Sequence, residues 1–319
     1  MARVGSAAGR RLGRSGRAVV AGLAAGALLA GTGCSGGEIR SHLRDGREHY
    51  TAGRYEEAQL EGLYVLLRAP EHPEALELVA SSLLALDRDS EAEGYFRTLI
   101  GLEPARATTA TALFDQRARV DFAAGQKSRA ARRWAAALAF SPRLDLGPYA
   151  FFMAEHAYAR RDWPVAMTLY GQAIAAYPDS SAAQDAVHPY AVSLHQLAHD
   201  LQALDVLEPF LRREPRHRLR HEAVWLYQEL LIEQARAANG RMDYERAVAY
   251  LRRALGFGEN PPLRAEALLE LGASYESLRE YQEAVACYRK VIDESNTQTG
   301  RVYDRAIERL ATLEKARLR

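Results

Sequence analysis

One small residue recurs along this chain at a nearly constant interval, and that interval leaves few folds open to it. Ala58, Ala92, Ala130, Ala166, Ala203, Ala247 and Ala284 follow one another at steps of 34, 38, 36, 37, 44 and 37 residues. Three residues ahead of four of them stands an aromatic side chain, at Tyr55, Trp163, Tyr244 and Tyr281. Four residues behind comes a large apolar one, at Phe96, Trp134, Tyr170, Leu207, Leu251 and Tyr288, with Gly62 the exception. Spacings of three and four place each set on one helix face. A proline follows the first five alanines by twelve residues, at Pro70, Pro104, Pro142, Pro178 and Pro215. Proline stops a helix there, because it donates no backbone bond and pushes its predecessor out of helical geometry. Glu259 and Asn296 stand in its place in the last two units. A period in the thirties describes a supersecondary unit that buries its apolar face only against its neighbours. The chain therefore reads as all-α and modular.

The most regular unit is AEALLELGASYESLREYQEAVACYRKVI, residues 265–292. Leu268, Leu271, Gly272 and Tyr275 form one helix face, Ser277 to Glu280 interrupt it, and Tyr281, Ala284, Tyr288 and Val291 form a second. Gly272 and Ala284 are gaps that let two helix axes approach. This pattern, L-x-x-L-G-x-x-Y followed by Y-x-x-A-x-x-x-Y, resembles the tetratricopeptide repeat (TPR) family. The resemblance implies a right-handed α-solenoid of about seven helical hairpins, at 39–72, 73–106, 107–144, 145–180, 181–217, 218–261 and 262–298. Residues 299–319, with Val302, Ala306, Leu310 and Leu313 on one face, would form a C-terminal capping helix. Pro73, Pro148 and Pro164 suit first helical turns. Pro189 and Pro209 fall inside the fifth hairpin and predict a kink or local break. A long first helix from Arg220 to Ala238 lengthens the sixth, so a seam is expected within 181–240.

Residues 1–33 read as a targeting segment rather than structure. Arg3, Arg10, Arg11, Arg14 and Arg17 precede the uncharged apolar stretch Ala18 to Gly31, which leads into Ala-Gly-Thr-Gly-Cys at Cys34. The stretch is short for a membrane span. It resembles the bacterial lipoprotein signal, which implies acylation of Cys34 as the first mature residue. Ser35 after it implies the outer membrane, with the repeats facing the periplasm. The alternative is a free cysteine beside a simple signal-peptide cut. Residues 34–38 would be the whole linker. Without residues 1–33 the chain holds 37 basic and 41 acidic residues, a balance unlike that of a general nucleic-acid binder. Cys287 then has no partner within the chain and reads as a small buried hydrophobe.

No phosphate loop, nucleophile elbow or H-E-x-x-H motif occurs, so no enzyme, cofactor, metal or small-molecule substrate is expected. His217 and His221 share a helix spacing but lie among arginines that repel a cation. His188 and His195 read as packing or surface residues. Two features stand out. Tyr50, Leu84, Phe122 and Tyr158 each lie three residues before a hairpin turn; they either line the groove that TPR first helices form or pack on a neighbouring helix. Arg212, Arg213, Arg216, Arg218 and Arg220 cluster in the fifth connection, either as a solvated connector or as an anion-binding site. Residues such as Leu43, Glu77, Phe151 and Leu269 occupy the places where some TPRs carry a carboxylate clamp, so that activity is not implied. The expected function is a membrane-anchored scaffold that binds other cell-envelope proteins or peptides. The alternative is a module for anionic glycan or lipid, working through Arg212 to Arg220.

Overall fold

The computed structural model describes residues 36–257, 261–294 and 300–317. Among these residues the ordered elements are all helical. Seven antiparallel hairpins follow in chain order: α1 Gly36–Thr51 with α2 Tyr55–Leu66, α3 Pro73–Ala85 with α4 Asp89–Leu102, and α5 Ala107–Ala123 with α6 Lys127–Phe140. Then come α7 Tyr149–Ala159 with α8 Trp163–Ala176, α9 Ser181–Gln196 with α10 Asp200–Arg213, α11 Arg220–Gly240 with α12 Tyr244–Leu255, and α13 Pro261–Ser277 with α14 Tyr281–Glu294. A last helix, α15 Arg301–Arg317, lays Val302, Leu310 and Leu313 against the apolar interior and buries Ala306 completely.

The periodic alanines explain the repetition physically. Each of the seven has a relative exposure of 0%. A larger side chain at any of them would hold the two helices of its hairpin apart. The large residue one turn later fills the space beyond: Phe96, Trp134, Tyr170, Leu207, Leu251 and Tyr288 are all buried. Gly62, the exception in sequence, works as a gap instead, since a Cβ there would lie 2.6 Å from Val79 Cγ2 on α3. Gly272 plays the same part for Tyr288, whose ring would meet a Cβ at 2.5 Å.

All seven hairpins turn in the same way. The second residue before each second helix has a left-handed backbone: Gly53, Asp87, Gly125, Arg161, Ala198, Met242 and Arg279. The next amide donates back over five residues, as in Arg54 N–H to His49 O at 2.9 Å and Glu280 N–H to Tyr275 O at 2.9 Å. This is the Schellman ending of a helix. Only two of the seven turns place glycine at the left-handed residue, which is why the turns are hard to see in sequence.

The chain divides into two compact units. The first holds residues up to Arg117 together with 139–141. Its interior is built from Leu43, Val65 and Leu78 around Ala58 and Ala75, and from Phe96, Phe114 and Phe140, whose ring centroids lie 5.7–6.3 Å apart. The second holds Ala118–Leu138 and everything from Pro142 onward. The division therefore falls in α5 and α6, whereas the irregular stretch 181–240 lies wholly inside the second unit. Pro189 and Pro209 do not break their helices, for α9 and α10 run continuously through them. The Ser193 hydroxyl donates to Pro189 O at 2.8 Å, and buried Ala191, Leu194, Phe210 and Leu211 hold the segments beyond each proline in the core. The long α11 matches the expected long helix, and its Gln228 amide donates to Ala254 O at 3.0 Å. The first described helix runs from Gly36, where the described residues start, ahead of the expected Ile39. Residues 1–33 and Cys34 lie outside the described residues.

Candidate functional site

The aromatic row resolves residue by residue. Leu84 is 2% exposed and is part of the interior, so it is withdrawn from any groove. Tyr50, Phe122 and Tyr158 are half-buried. Each reaches across its own hairpin turn. The Tyr50 ring meets Tyr55 edge-on at 5.3 Å, and Tyr158 meets Trp163 at 5.5 Å in the same geometry. Residue i and residue i+5 thus form a ring pair that bridges the last turn of one helix and the first turn of the next. Phe122 is held by three rings, Trp134 at 5.7 Å, Tyr149 at 5.1 Å and Phe152 at 5.0 Å. Burial raises the Tyr50 and Tyr158 hydroxyls above the ordinary tyrosine range. The Tyr50 and Tyr158 rings are therefore engaged within their own hairpins, whereas Phe122 also packs on α7 of the next hairpin.

The arginine segment is partly occupied by its own acids. Arg212 pairs with Glu208 at 2.5 Å, Arg218 pairs with Asp185 at 2.9 Å, and the Arg220 guanidinium donates to Leu211 O. Asp185 lies 33 residues before Arg218, one repeat away, so sequence adjacency hides the pairing. Glu208 also takes Arg253 at 2.5 Å. Burial disfavours its charge, but the Arg253 and Arg212 guanidiniums outweigh that and hold its carboxyl below the usual range. Arg213 and Arg216 are exposed and carry the anion-binding alternative between them.

Similar pairs join successive hairpins elsewhere, as in Arg47–Glu74 at 2.5 Å and Arg236–Glu270 at 3.1 Å. Partly exposed pairs of this kind contribute about 0–1 kcal/mol each. The interior ion pair is different. Arg133 Nη1 lies 2.6 Å from Asp121 Oδ2, with side-chain exposures of 1% and 9%. Sequence reading missed it, because a charged residue on an alanine-rich helix reads as a solvated one.

One set of possible metal ligands converges among the described residues. Atoms of His195, Asp200 and Glu233 all lie within 4.8 Å of one another. His195 Nδ1 and Asp200 Oδ1 already satisfy each other at 2.8 Å across the fifth turn, and Gln234 approaches Asp200 at 3.5 Å. Glu233 is exposed. The set is thus explained as a hydrogen-bonded closure of that turn. Cys287 is buried, and burial pushes its thiol up to about 11, away from the thiolate that reactive cysteines use.

Helical hairpins with small residues at fixed places, each packed on the next within its unit, define a helical-repeat protein. The tetratricopeptide repeat model matches two stretches of the chain, residues 43–107 and 232–299. No curated protein matches the chain. Among solved structures it is similar to one of Naa15/Naa10 bound to HypK, at 16% identity and TM-score 0.39. That match covers 86% of this chain and 39% of the other, so this chain spans about two fifths of that relative. A repeat-containing protein from Cytophaga hutchinsonii is similar at 15% identity and TM-score 0.38, over 82% of this chain and 98% of that one. The P58(IPK) TPR domain is similar at 15% identity and TM-score 0.26, over 86% and 90%.

Proposed function

We propose that this protein is a scaffold that binds other proteins, held at a bacterial outer membrane by a lipid on Cys34 and working on envelope proteins in the periplasm. The observation that carries the scaffold reading is the match to tetratricopeptide repeats in both units, a fold that typically binds proteins and performs no catalysis. The anchor reading is supported by the residues around Cys34: an arginine-rich start, an apolar stretch, and small residues ahead of the cysteine. No described helix is long and apolar enough to cross a membrane, so within those residues attachment does not come from a helical span. Residues 34 and 36 are two apart, so a lipid carried on Cys34 would sit at most about 7 Å of chain from Gly36.

The test is Cys34→Ser. Each acyl CH₂ buried in the bilayer contributes about 0.8 kcal/mol, and two or more chains give stable attachment. The substituted protein is expected in the soluble periplasmic fraction or unprocessed, while the parent fractionates with the outer membrane. Retention of Cys34→Ser in that membrane would remove the anchor.

A further inference from the structure

The outer face of α2 differs from that of every other second helix. At about 100° per residue, Leu60, Leu63 and Leu67 lie roughly opposite the buried Ala58, Gly62 and Val65. Leu60 is 66% exposed and Leu67 61%. The repeat supplies its own comparison, because the same three places can be read two, five and nine residues after each marker alanine. They hold Gly94, Arg97 and Gly101 in α4, and Arg132, Ala135 and Ala139 in α6. The next two hairpins hold Thr168, Gly171 and Ala175, then Asp205, Glu208 and Arg212. The last two hold Ala249, Arg252 and Gly256, then Ala286, Arg289 and Asp293. Three leucines occur only in the first hairpin.

We infer that this face of α2 is a membrane-contact surface that seats the first hairpin on the lipid bilayer. The inference rests on the lipid anchor proposed for Cys34 and says which surface that anchor presses against the membrane. α1 and α2 are antiparallel, so the start of α1, two residues from Cys34, lies beside the end of α2 where Leu63 and Leu67 stand. The anchor and the apolar strip are therefore at the same end of the same hairpin. Tyr64 and Arg68 border the strip, with the guanidinium 3.6 Å from the ring centroid. An aromatic ring with a polar tip and a long cationic side chain are groups that rest at the level of lipid headgroups. Glu56 and Glu57, exposed at the other end of α2, keep that end in water. The chemistry suits shallow contact near the anchor rather than insertion of the helix.

The test uses the non-acylated chain from Cys34 onward, whose Cys34 thiol is free and which retains every described residue, with a genetically encoded benzophenone at position 60, 67 or 168. It is held on vesicles of phosphatidylethanolamine and phosphatidylglycerol by coupling Cys34 to a maleimide-bearing lipid; Cys287 is buried and does not compete. Illumination is expected to give lipid adducts at 60 and 67 on the order of tenfold above those at 168, since only a surface-seated face keeps its leucines among acyl chains. Equal adduct yields at 67 and 168 would overturn the inference, as would cross-links from 67 to a second protein in place of lipid. Whether cells acylate Cys34 is read separately from the mass of the N-terminal peptide. An unmodified Cys34 would remove the anchor reading and with it the inference, whereas an acylated Cys34 with no lipid adducts at 60 or 67 removes the inference alone.

Discussion

Replacing Trp134 with alanine is expected to destabilise the second unit by about 3–5 kcal/mol. The side chain is fully buried and meets Phe122, Tyr149 and Phe152, so its removal leaves a cavity walled by rings that cannot collapse into it together. Aromatic pairs of this geometry add about 0.5–1.5 kcal/mol each beyond their buried area. Repeats depend mainly on their neighbours, so the loss should be local. Amide exchange should accelerate in α6 and α7 and remain slow in α1 to α4. A change below about 1 kcal/mol would mean that the interior there is not packed as described. Uniform acceleration along the chain would mean a single cooperative globule rather than a repeat protein.

Arg133→Ala should cost a comparable amount, about 3–5 kcal/mol, by a different route. It removes the guanidinium that lies 2.6 Å from Asp121 and leaves a carboxylate in the interior. The penalty is the desolvation of that charge rather than the worth of the pair. Replacing both partners, as in Asp121→Leu with Arg133→Met, should therefore restore most of the stability that Arg133→Ala loses. Denaturant unfolding of the two variants measures this. Arg133→Met alone matching the double variant would show that the loss comes from packing of the Arg133 stem instead, since Met keeps a stem yet leaves Asp121 without the guanidinium.

The repeat itself was legible because a close helix crossing admits only a small residue, and that need recurs once per hairpin. Seven alanines at the expected places, each wholly buried, carry the whole register. The long α11 was legible as an interval of 44 between two markers. The turns were not, because Asp87, Arg161, Ala198, Met242 and Arg279 adopt a conformation usually given to glycine. Surrounding helix packing imposes it on them. The sites were harder still. Tyr50 and Tyr158 look available for a groove when read as a column of aromatic residues, and only ring positions show that each leans on the residue five places on. Arg218 looks like part of a cationic run until the acid one repeat earlier is seen beside it. Prolines 189 and 209 predict a kink or local break from local chemistry alone, and the helices run on through both, with buried residues beyond each.

The proposed role as a membrane-held scaffold is tested most directly by cross-linking the protein in intact cells, recovering it under denaturing conditions and identifying what is attached. The parent protein should carry one or more envelope proteins, and Cys34→Ser should carry them about tenfold less, because losing the tether lowers the effective concentration at the membrane. Recovery should change little at high salt during native capture, and little in Arg213→Glu with Arg216→Glu. Loss of capture in that charge-reversed variant, with steep salt dependence, would shift the function to anion binding through the arginine segment. Attached proteins that are all cytoplasmic, recovered equally with Cys34→Ser, would contradict the account.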